Sequence, residues 1–478
     1  MIGPGDFVDE YVVLPFRQGK LEDKFLVTTD AGSWALLTNR ELDLLNAHRV
    51  ETDARLFASL RAAGIVVTEQ DFPDVKARMK DRLWHLTKGT SLHVLAVTDD
   101  CNFACKYCYA NTKGKQKMSV DTAEKVVDFV MQSPAETVII EFSGGEPLLN
   151  FEAIKAAVEK ARPIVEKNGK GLGFAMIHNG TNWDEEKVRF FMDNHIGVCF
   201  SLDGPEDLHN IHRPYRVGGG SYKDVVRWIR RFQREGYPGL NALPVITRHS
   251  LSRGKDIVDE YLSHGFNIVR FKYLSYFGRA PALWKEIGYT PEEFVKAWKD
   301  VLEYMYELNN RGIDVKENIT QVMARKLFSR LDPGFCELQM PCGAGLSQLA
   351  YAPDGSVYTC DEGRMFEEFR IGDVSMSYPQ VMKSSVLQGL SMSSSGLFNL
   401  CDSCELKPFC GICPLETYNR TGSIDAKIAF DRRHKMHREM LRYLIKRASK
   451  DGKFRQMLEN WARSTEKRQF YFGAKDIY

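Results

Sequence analysis

The sequence predicts an α/β protein built on an open, partial TIM-like (β/α)6 barrel, with a smaller domain on either side of it. First, strand-like and helix-like patterns alternate from Ser91 to about Ala280, which predicts a parallel sheet with right-handed crossovers. Second, residues 7 to about 80 carry short β-prone runs followed by helical patterns, as in a small separate domain. Third, ten of the eleven cysteines lie in two groups, at 101–108 and 336–413.

Composition narrows the class of protein. The chain has 478 residues, is 44% hydrophobic and carries a net charge of +2, so it can bury a large core and has no bulk field for nucleic acid or a membrane surface. It contains no apolar stretch of about 18 residues, and its N-terminus lacks the features of a signal peptide. We therefore expect a cytoplasmic protein with neither nucleic-acid nor membrane partners, whose cysteines do not form a disulfide framework.

The domain boundaries follow these patterns. In the first domain, strands are predicted over Tyr11–Phe16, Lys24–Thr29 and Trp34–Leu37, with Gly19 as a break, and helices over about 39–47 and 53–63. Barrel strands are predicted at Leu92–Thr98, Thr137–Phe142, Leu172–His178, Val198–Leu202, Ala242–Thr247 and Ile268–Leu274. The predicted division is 1–80, a linker 81–90, the barrel 91–280, a helical bridge 281–335, a cysteine-rich domain 336–440 and terminal helices 441–478. Functional groups of such barrels lie at the carboxyl ends of the strands.

The first cysteine group directly follows the first barrel strand. Cys101, Cys105 and Cys108 have the spacing C-x3-C-x2-C, and thiolates suit zinc or an iron–sulfur cluster. Three ligands on one loop can hold three corners of a [4Fe–4S] cube and leave one iron open. A structural zinc would need a fourth ligand nearby, yet the next histidine and cysteine are His178 and Cys199.

Polar motifs follow the later strands. Gly144 and Gly145 permit a close backbone approach, and Glu146 can accept from a cationic amine. Asn179 ends the third strand. The motif Ser201-Leu202-Asp203-Gly204-Pro205 ends the fourth, and Arg213 after it has a guanidinium suited to a carboxylate.

The cysteine motif with an aromatic residue before its last cysteine, followed by Gly-Gly-Glu-Pro, resembles the radical S-adenosylmethionine (SAM) superfamily. The resemblance implies a [4Fe–4S] cluster on the three cysteines, whose open iron binds the amino and carboxylate groups of SAM and whose electron cleaves SAM to a 5′-deoxyadenosyl radical. It further implies a SAM site, with adenine contacts from Tyr107 and Leu274. The remaining implied SAM-site residues are Gly144, Gly145, Glu146, Asn179, Ser201, Asp203 and Arg213.

The second cysteine group resembles the SPASM extension of radical SAM peptide maturases. By that resemblance Cys342, Cys360 and Cys413 hold auxiliary cluster I, with Cys336 as a candidate fourth ligand, and three further cysteines hold auxiliary cluster II. These three are Cys401, Cys404 and Cys410. Two zinc sites are the structural alternative.

The final ligand of that pattern is missing, because the last spacing is x2 instead of x3 and no cysteine follows Cys413. Asp431 stands near the expected place, with His434 and His437 as alternatives; otherwise cluster II has an open iron or is absent, leaving one auxiliary cluster.

Ahead of Cys360, the dipeptide Asp354-Gly355 predicts the turn of a β-hairpin. Asp361, directly after Cys360, corresponds to an aspartate that accepts a substrate proton in anaerobic sulfatase maturases; a structural or capping role is the alternative.

The first domain resembles the winged-helix domains that bind a leader peptide as an added strand, although a structural cap on the barrel is the alternative. We therefore predict a radical SAM/SPASM maturase of a ribosomally synthesised peptide. The His-Xaa-Ser system maturases are resembled by the N-terminal run Leu14-Pro15-Phe16…Phe25 to Gly32 and by the tail Ile424…His434-Lys435. Thioether-forming maturases of cysteine-rich peptides are nearly as similar. The expected reaction is a crosslink or an epimerisation, with a flavodoxin or ferredoxin as electron donor.

Two other functions remain open from the sequence. A sulfatase-type maturase would make formylglycine and needs no leader-binding domain, so deletion of residues 1–80 should leave its activity intact. A non-enzymatic metal-binding scaffold would release no 5′-deoxyadenosine from SAM.

Overall fold

The computed structural model describes residues 11–110, 115–330, 332–396, 401–425, 431–464 and 471–472. The N-terminal residues on which we judged the absence of a signal peptide lie outside these ranges. None of the helices in the described ranges has the length and apolarity that crossing a membrane requires.

The N-terminal domain has a small hydrophobic core of its own, centred on Leu45, Val50 and Leu60. Its elements are β1 (Tyr11–Val13), β2 (Phe16–Leu21), β3 (Lys24–Thr29), β4 (Trp34–Leu37), α1 (Asn39–Asn46), α2 (Ala54–Ala63), β5 (Val66–Thr68) and α3 (Phe72–Arg82). Strands β2, β3 and β4 form an antiparallel sheet in that order, and β1 pairs with β5.

Two details of this domain differ from the prediction. The first predicted strand is divided between β1 and β2, which belong to different sheets. Gly19 lies inside β2 and is not a break. A Cβ at Gly19 would overlap the carboxylate of Glu405 from the cysteine-rich tail, so a tertiary contact explains this glycine better than a turn does.

The barrel contains five parallel strands in the order β10-β9-β8-β7-β6. Its elements are β6 (Leu92–Thr98), α4 (Val120–Val130), β7 (Thr137–Gly144), α5 (Phe151–Asn168), β8 (Gly171–His178), α6 (Glu185–Asp193), β9 (Gly197–Ser201), α7 (Glu206–His212), α8 (Tyr222–Arg234), β10 (Leu240–Leu243), α9 (Gly254–Ser263) and β11 (Ile268–Val269). The α/β architecture with parallel strands is as predicted. The sixth strand is shorter than expected and pairs with a later segment, joined to the barrel by a parallel bridge between Val245 and Lys272.

The rest of the chain closes around this sheet. Its elements are α10 (Trp284–Ile287), α11 (Pro291–Asn310), β12 (Lys316–Glu317), α12 (Asn318–Phe328), β13 (Gln348–Tyr351), β14 (Ser356–Tyr358), β15 (Arg370–Asp373), α13 (Tyr378–Val381), α14 (Ser385–Ser393), α15 (Pro414–Thr421), α16 (Arg432–Lys450), α17 (Gly452–Arg463) and β16 (Tyr471–Phe472). Strand β13 pairs in parallel with β6, and β14 and β15 follow antiparallel. The cysteine-rich tail therefore extends the barrel sheet, and the predicted turn at Asp354-Gly355 is present, with Gly355 at φ +88°.

Candidate active site at the carboxyl edge of the barrel

The first cysteine loop leaves the carboxyl end of β6. Cys101 and Cys105 are buried and Cys108 is half-buried. Burial, with a smaller contribution from neighbouring thiolates of the trio, raises the pKa of the Cys101 thiol to about 11 and that of Cys105 to about 12. Three thiols, two of them buried, that disfavour one another's charge need a cationic centre to become thiolates, and an iron–sulfur cluster provides one.

The loop is held in place by backbone hydrogen bonds to residues 212–214, which are distant in sequence but adjacent in the folded barrel. The Ala104 N–H donates to the Pro214 carbonyl oxygen at 2.9 Å, and the Lys106 N–H donates to the His212 carbonyl oxygen at 3.1 Å. On its other side the Cys108 carbonyl accepts from a backbone N–H at residue 279. The thiols thus sit on a loop whose shape is set by the barrel itself.

The two glycines after β7 allow the backbone to approach this loop. A Cβ on Gly145 would overlap the carbonyl oxygen of Asp100, and Gly144 has φ +126°. The Gly145 N–H donates to the Thr98 oxygen and the Glu146 N–H to the Asp100 oxygen, both at 2.8 Å. The two glycines therefore bring this backbone close to the cysteine loop, whereas the sequence predicted a close approach to a ligand.

Glu146 is a fully buried carboxylate. Its two oxygens accept from the backbone N–H groups of Leu148 at 3.0 Å and Asn179 at 2.8 Å. Burial raises its pKa to about 8, and among the described residues no cation lies within ion-pair distance. The site therefore fits the ammonium group of a ligand, which would supply the missing positive charge.

Asn179 connects Glu146 to the cysteine loop. Its amide nitrogen donates to the Asn102 side-chain oxygen at 2.6 Å and lies 3.9 Å from the Cys101 sulfur. Its side-chain oxygen accepts from the hydroxyl of Thr181 at 2.7 Å. Through these contacts Asn179 supports the cysteine loop, in addition to its predicted place in the SAM site.

A buried charge network joins Tyr107, Asp203 and Arg213. The Arg213 Nε lies 3.1 Å from one Asp203 oxygen, and the Tyr107 hydroxyl donates to the other. Burial alone would raise the pKa of Asp203, but Arg213 holds it well below its usual range. The Arg213 guanidinium also lies 5.2 Å from the Tyr107 ring centre. Because its Nε faces Asp203, Arg213 could bind a ligand carboxylate only through its other nitrogens.

The two remaining residues of the predicted SAM site are Ser201 and Leu274. Ser201 is buried at the carboxyl end of β9, where its register partner on β10 is Leu243. The Leu274 side chain is part of the main core, and its backbone N–H donates to the Tyr289 hydroxyl at 2.6 Å.

Asp361 lies between the two cysteine groups. Its side chain accepts from the hydroxyl of Tyr109, the residue after Cys108, and from the Arg364 guanidinium at 2.7 and 3.0 Å. Burial raises the pKa of Tyr109 well above its usual value. We did not single out Tyr109 or Arg364 from the sequence. An aromatic residue directly after the last cysteine was the available signal for the first, and nothing local marked the second.

The cysteines assigned to cluster I come together in the structure. The sulfurs of Cys336 and Cys342 lie 3.8 Å apart, and Cys360 and Cys413 pack in the same buried apolar cluster with Phe277. Burial raises the pKa of the Cys360 thiol, and the thiolates of Cys342 and Cys413 raise it further.

The cysteines assigned to cluster II also lie near one another. The Cys404 N–H donates to the Cys401 carbonyl oxygen at 3.1 Å. Burial, with a smaller contribution from Cys404, raises the pKa of the Cys401 thiol to about 11 and that of Cys410 to about 12. We refer to residues 401–410 as the second cysteine loop.

The proposed fourth ligand of cluster II is placed less favourably. The Asp431 side chain accepts from the His434 N–H at 2.6 Å as the N-cap of α16, and it lines a small cleft beside residues 411–413. Asp431 thus faces the cluster I side. His437 is buried with both ring nitrogens lacking a partner in the described part of the chain.

Within the described residues no three His, Cys, Asp or Glu side chains converge tightly enough to hold one metal ion. The ligands of a multi-iron cluster are more widely separated than those of a single metal ion. Each cysteine set, whose members influence one another's charge without converging on one point, therefore suits such a cluster.

The sequence model of the Radical SAM superfamily matches residues 95–261. A serine-type anaerobic sulfatase-maturating enzyme of Bacteroides thetaiotaomicron is 25% identical over 67% of this chain and 81% of its own length. A cysteine-type enzyme of the same name from Clostridium perfringens is 25% identical over 67% of this chain and 87% of its own.

Solved structures share the fold at lower identity. Histidine-tagged anSMEcpe with bound AdoMet superimposes with a TM-score of 0.66 at 21% identity, over 79% of this chain and 97% of that one. Streptococcus suis SuiB bound to its precursor peptide SuiA gives 0.55 at 12% identity, over 86% of this chain and 96% of that one. The matched region, 95–261, contains β6 to α9 and the first cysteine loop. Residues 95–261 therefore resemble the Radical SAM superfamily in sequence, and most of the chain shares its fold with these solved structures.

Proposed function

We propose that this radical SAM enzyme modifies a peptide, using a cluster held by Cys101, Cys105 and Cys108. The observation that carries the proposal is the thiol trio, two of its members buried, together with Glu146, a buried carboxylate with no cation of its own in the described part of the chain. A [4Fe–4S] cluster bound there would supply the electron that cleaves SAM to a 5′-deoxyadenosyl radical. Glu146 would bind the amino group of SAM, and the surrounding residues would exclude water from the site.

The remaining SAM contacts are proposed with the same roles as the resemblance implies, adjusted for the geometry. Ser201 and Tyr107 lie at the carboxyl edge of the sheet, where the nucleoside would bind. Arg213 would reach the SAM carboxylate while Asp203 orients it. Gly144, Gly145 and Asn179 would act mainly by seating the cysteine loop.

Asp361 is proposed as the base that accepts a proton from the substrate as the radical is oxidised. Asp361 directly follows Cys360 in the chain and its side chain is only 13% exposed, so a proton acceptor would be available near an auxiliary cluster. The Tyr109 hydroxyl and Arg364 would hold it in a single orientation. Cys336, Cys342, Cys360 and Cys413 would hold cluster I, and Cys401, Cys404 and Cys410 would hold cluster II. Of the three candidates for the remaining ligand of cluster II, Asp431 faces the cluster I side, which leaves His434 and His437.

The N-terminal domain is proposed to bind the leader of a ribosomally synthesised peptide. In the described part of the chain β4 is an edge strand with no second partner. Strand β4 lines a groove of about 1050 Å³ together with α2 and α17. Arg55 and Arg463 are among the residues that line this groove. An extended peptide can add to such an edge through main-chain hydrogen bonds. The curated relatives are named as maturating enzymes, and SuiB is solved with a precursor peptide, which supports a peptide substrate.

Formylglycine formation is the second candidate, favoured by the two sulfatase-maturating relatives at 25% identity. It differs from leader-dependent crosslinking in its substrate, a sulfatase peptide carrying the target cysteine or serine. A flavodoxin or ferredoxin would deliver the electron in either case.

The first experiment measures 5′-deoxyadenosine after anaerobic reconstitution with iron and sulfide, using dithionite and SAM. We expect turnover by the unmodified protein and none above background by Cys105→Ala, because one cluster corner is lost. Cys199→Ala is the matched control, since Cys199 lies on β9 outside both groups. Equal turnover by Cys105→Ala, or none by the unmodified protein, would reject the proposal.

A further inference from the structure

The second cysteine loop is contacted by the N-terminal domain at three points, each a side-chain donor bound to a backbone carbonyl of the loop. The contacts are Arg17 Nε to the Asp402 oxygen (2.6 Å), Thr28 Oγ1 to the Glu405 oxygen (2.9 Å) and Arg82 Nη2 to the Pro408 oxygen (2.8 Å). The three carbonyls are spread along the loop between Cys401 and Cys410. The contacts therefore fix the course of the whole loop and not one end of it.

These donors are removed from water. Thr28 is fully buried, Arg82 is 6% exposed, and the Arg17 side chain is 11% exposed. Arg82 also donates to the Lys326 carbonyl oxygen, and its guanidinium lies 5.5 Å from the Phe409 ring centre. Buried hydrogen bonds from charged donors are costly to break, because the donor is left without water or a partner.

A fourth contact involves the side chain of Glu405, next to Cys404. Its carboxylate accepts from Arg442 Nη1 at 2.6 Å, while Arg442 Nη2 donates to the carbonyl oxygen of Lys20 on β2 at 2.6 Å. The same carboxylate occupies the space that a side chain at Gly19 would need. Strand β2 is thus fitted to the loop in shape as well as in hydrogen bonding.

We propose that the N-terminal sheet is a clamp that positions the second cysteine loop so that Cys401, Cys404 and Cys410 can receive a cluster. The identity of that cluster rests on the proposed function, but the clamp itself does not. The domain then has two working edges: β2 supports the loop, and β4, at the other side of the sheet, is left for a peptide. Deletion of residues 1–80 would damage the auxiliary site whatever the reaction, so it does not separate a leader-dependent enzyme from a sulfatase-type one.

Adjacent threonines on β3 provide a matched test. Thr28→Val removes the donor to Glu405, whereas Thr29→Val removes a buried hydroxyl that has no partner among the described residues. Hydrogen–deuterium exchange is measured on full-length protein without iron or SAM. We expect about tenfold faster exchange over 401–410 in Thr28→Val and no change there in Thr29→Val.

The second readout is iron in a background with Cys101, Cys105 and Cys108 all changed to Ala, so that only auxiliary sites are counted. We expect Thr28→Val to lower iron toward the value of a Cys401→Ala reference, and Thr29→Val to match the background protein. Unchanged exchange in Thr28→Val overturns the proposal, and so does faster exchange with unchanged iron. Should Thr28→Val fail to fold, Arg17→Met, which removes the donor to the Asp402 carbonyl, is tested by the same two measurements. The same results then support or overturn the proposal.

Neither measurement uses SAM or a peptide substrate. A failed clamp with normal 5′-deoxyadenosine formation would leave the proposed function standing. A working clamp with no SAM cleavage would reject the function and keep the clamp.

Discussion

The two cysteine loops are supported in different ways. The first, Cys101 to Cys108, is held by neighbouring parts of the barrel, through backbone contacts from Gly145 and Glu146 and from residues 212–216. The second, Cys401 to Cys410, is held by side chains of a domain 326 to 385 residues earlier in the chain. Backbone contacts cannot shift without disturbing the sheet, whereas side chains can rotate. We therefore expect the first loop to be the less tolerant of change.

The largest effect is expected from Gly145→Ala. The new Cβ would overlap the backbone oxygen of Asp100, which cannot move without unseating the first loop. We expect a loss of about 3 kcal/mol or more in the free energy of unfolding and loss of the first cluster, while auxiliary iron is retained. Urea unfolding and iron analysis measure both.

The control for this substitution is Gly452→Ala. A Cβ at Gly452, the first residue of α17, meets no atom within 4 Å. It should therefore leave stability and iron content unchanged. If Gly145→Ala behaved like this control, the steric account of the first loop would be wrong.

A pH-dependent effect of intermediate size is expected at Glu146, whose pKa burial raises to about 8. Between about pH 4.5 and 8 the folded, SAM-free protein keeps a proton that the unfolded chain has lost, so its stability falls as pH rises. The slope contributed by this group is at most about 1.4 kcal/mol per pH unit. Urea unfolding at several pH values should lose this part of the slope in Glu146→Gln, whereas Glu152→Gln, in the first turn of α5, should retain it. An unchanged slope in Glu146→Gln would contradict the assignment.

The smallest effect is expected from Gly19→Ala on the second loop. The obstacle is the end of the Glu405 side chain, which can rotate at the cost of its bond to Arg442. We expect a loss of about 1 kcal/mol and a partial decrease in auxiliary iron, with the first cluster intact. Gly389→Ala, in α14 of the same tail, is the control, since its Cβ meets only Ile424 at ordinary contact distance. A larger loss than that of Gly145→Ala would reverse the comparison.

The sequence was informative where a signal is local. The strand before Cys101 and the hairpin at Asp354-Gly355 could be predicted because periodicity and turn chemistry act over a few residues. The predicted sixth strand was too long, and the break at Gly19 was wrong. The predicted SAM contacts of Asn179 and Arg213 remain predictions, and the structure adds contacts of both residues within the protein, to Asn102 and to Asp203, which no local motif records.

By itself the sequence determined the resemblance to the Radical SAM superfamily, the alternating α/β order and the two groups in which ten of the eleven cysteines lie, since all of these depend on spacing along the chain. The tertiary structure alone decided that β13 extends the barrel sheet, that Asp203 pairs with Arg213, that Tyr109 meets Asp361 and that β2 supports the second cysteine loop. The reason is physical: each of these contacts joins groups whose positions are set by packing of whole elements. No pattern within a short stretch of sequence records which distant group will fill the space beside it.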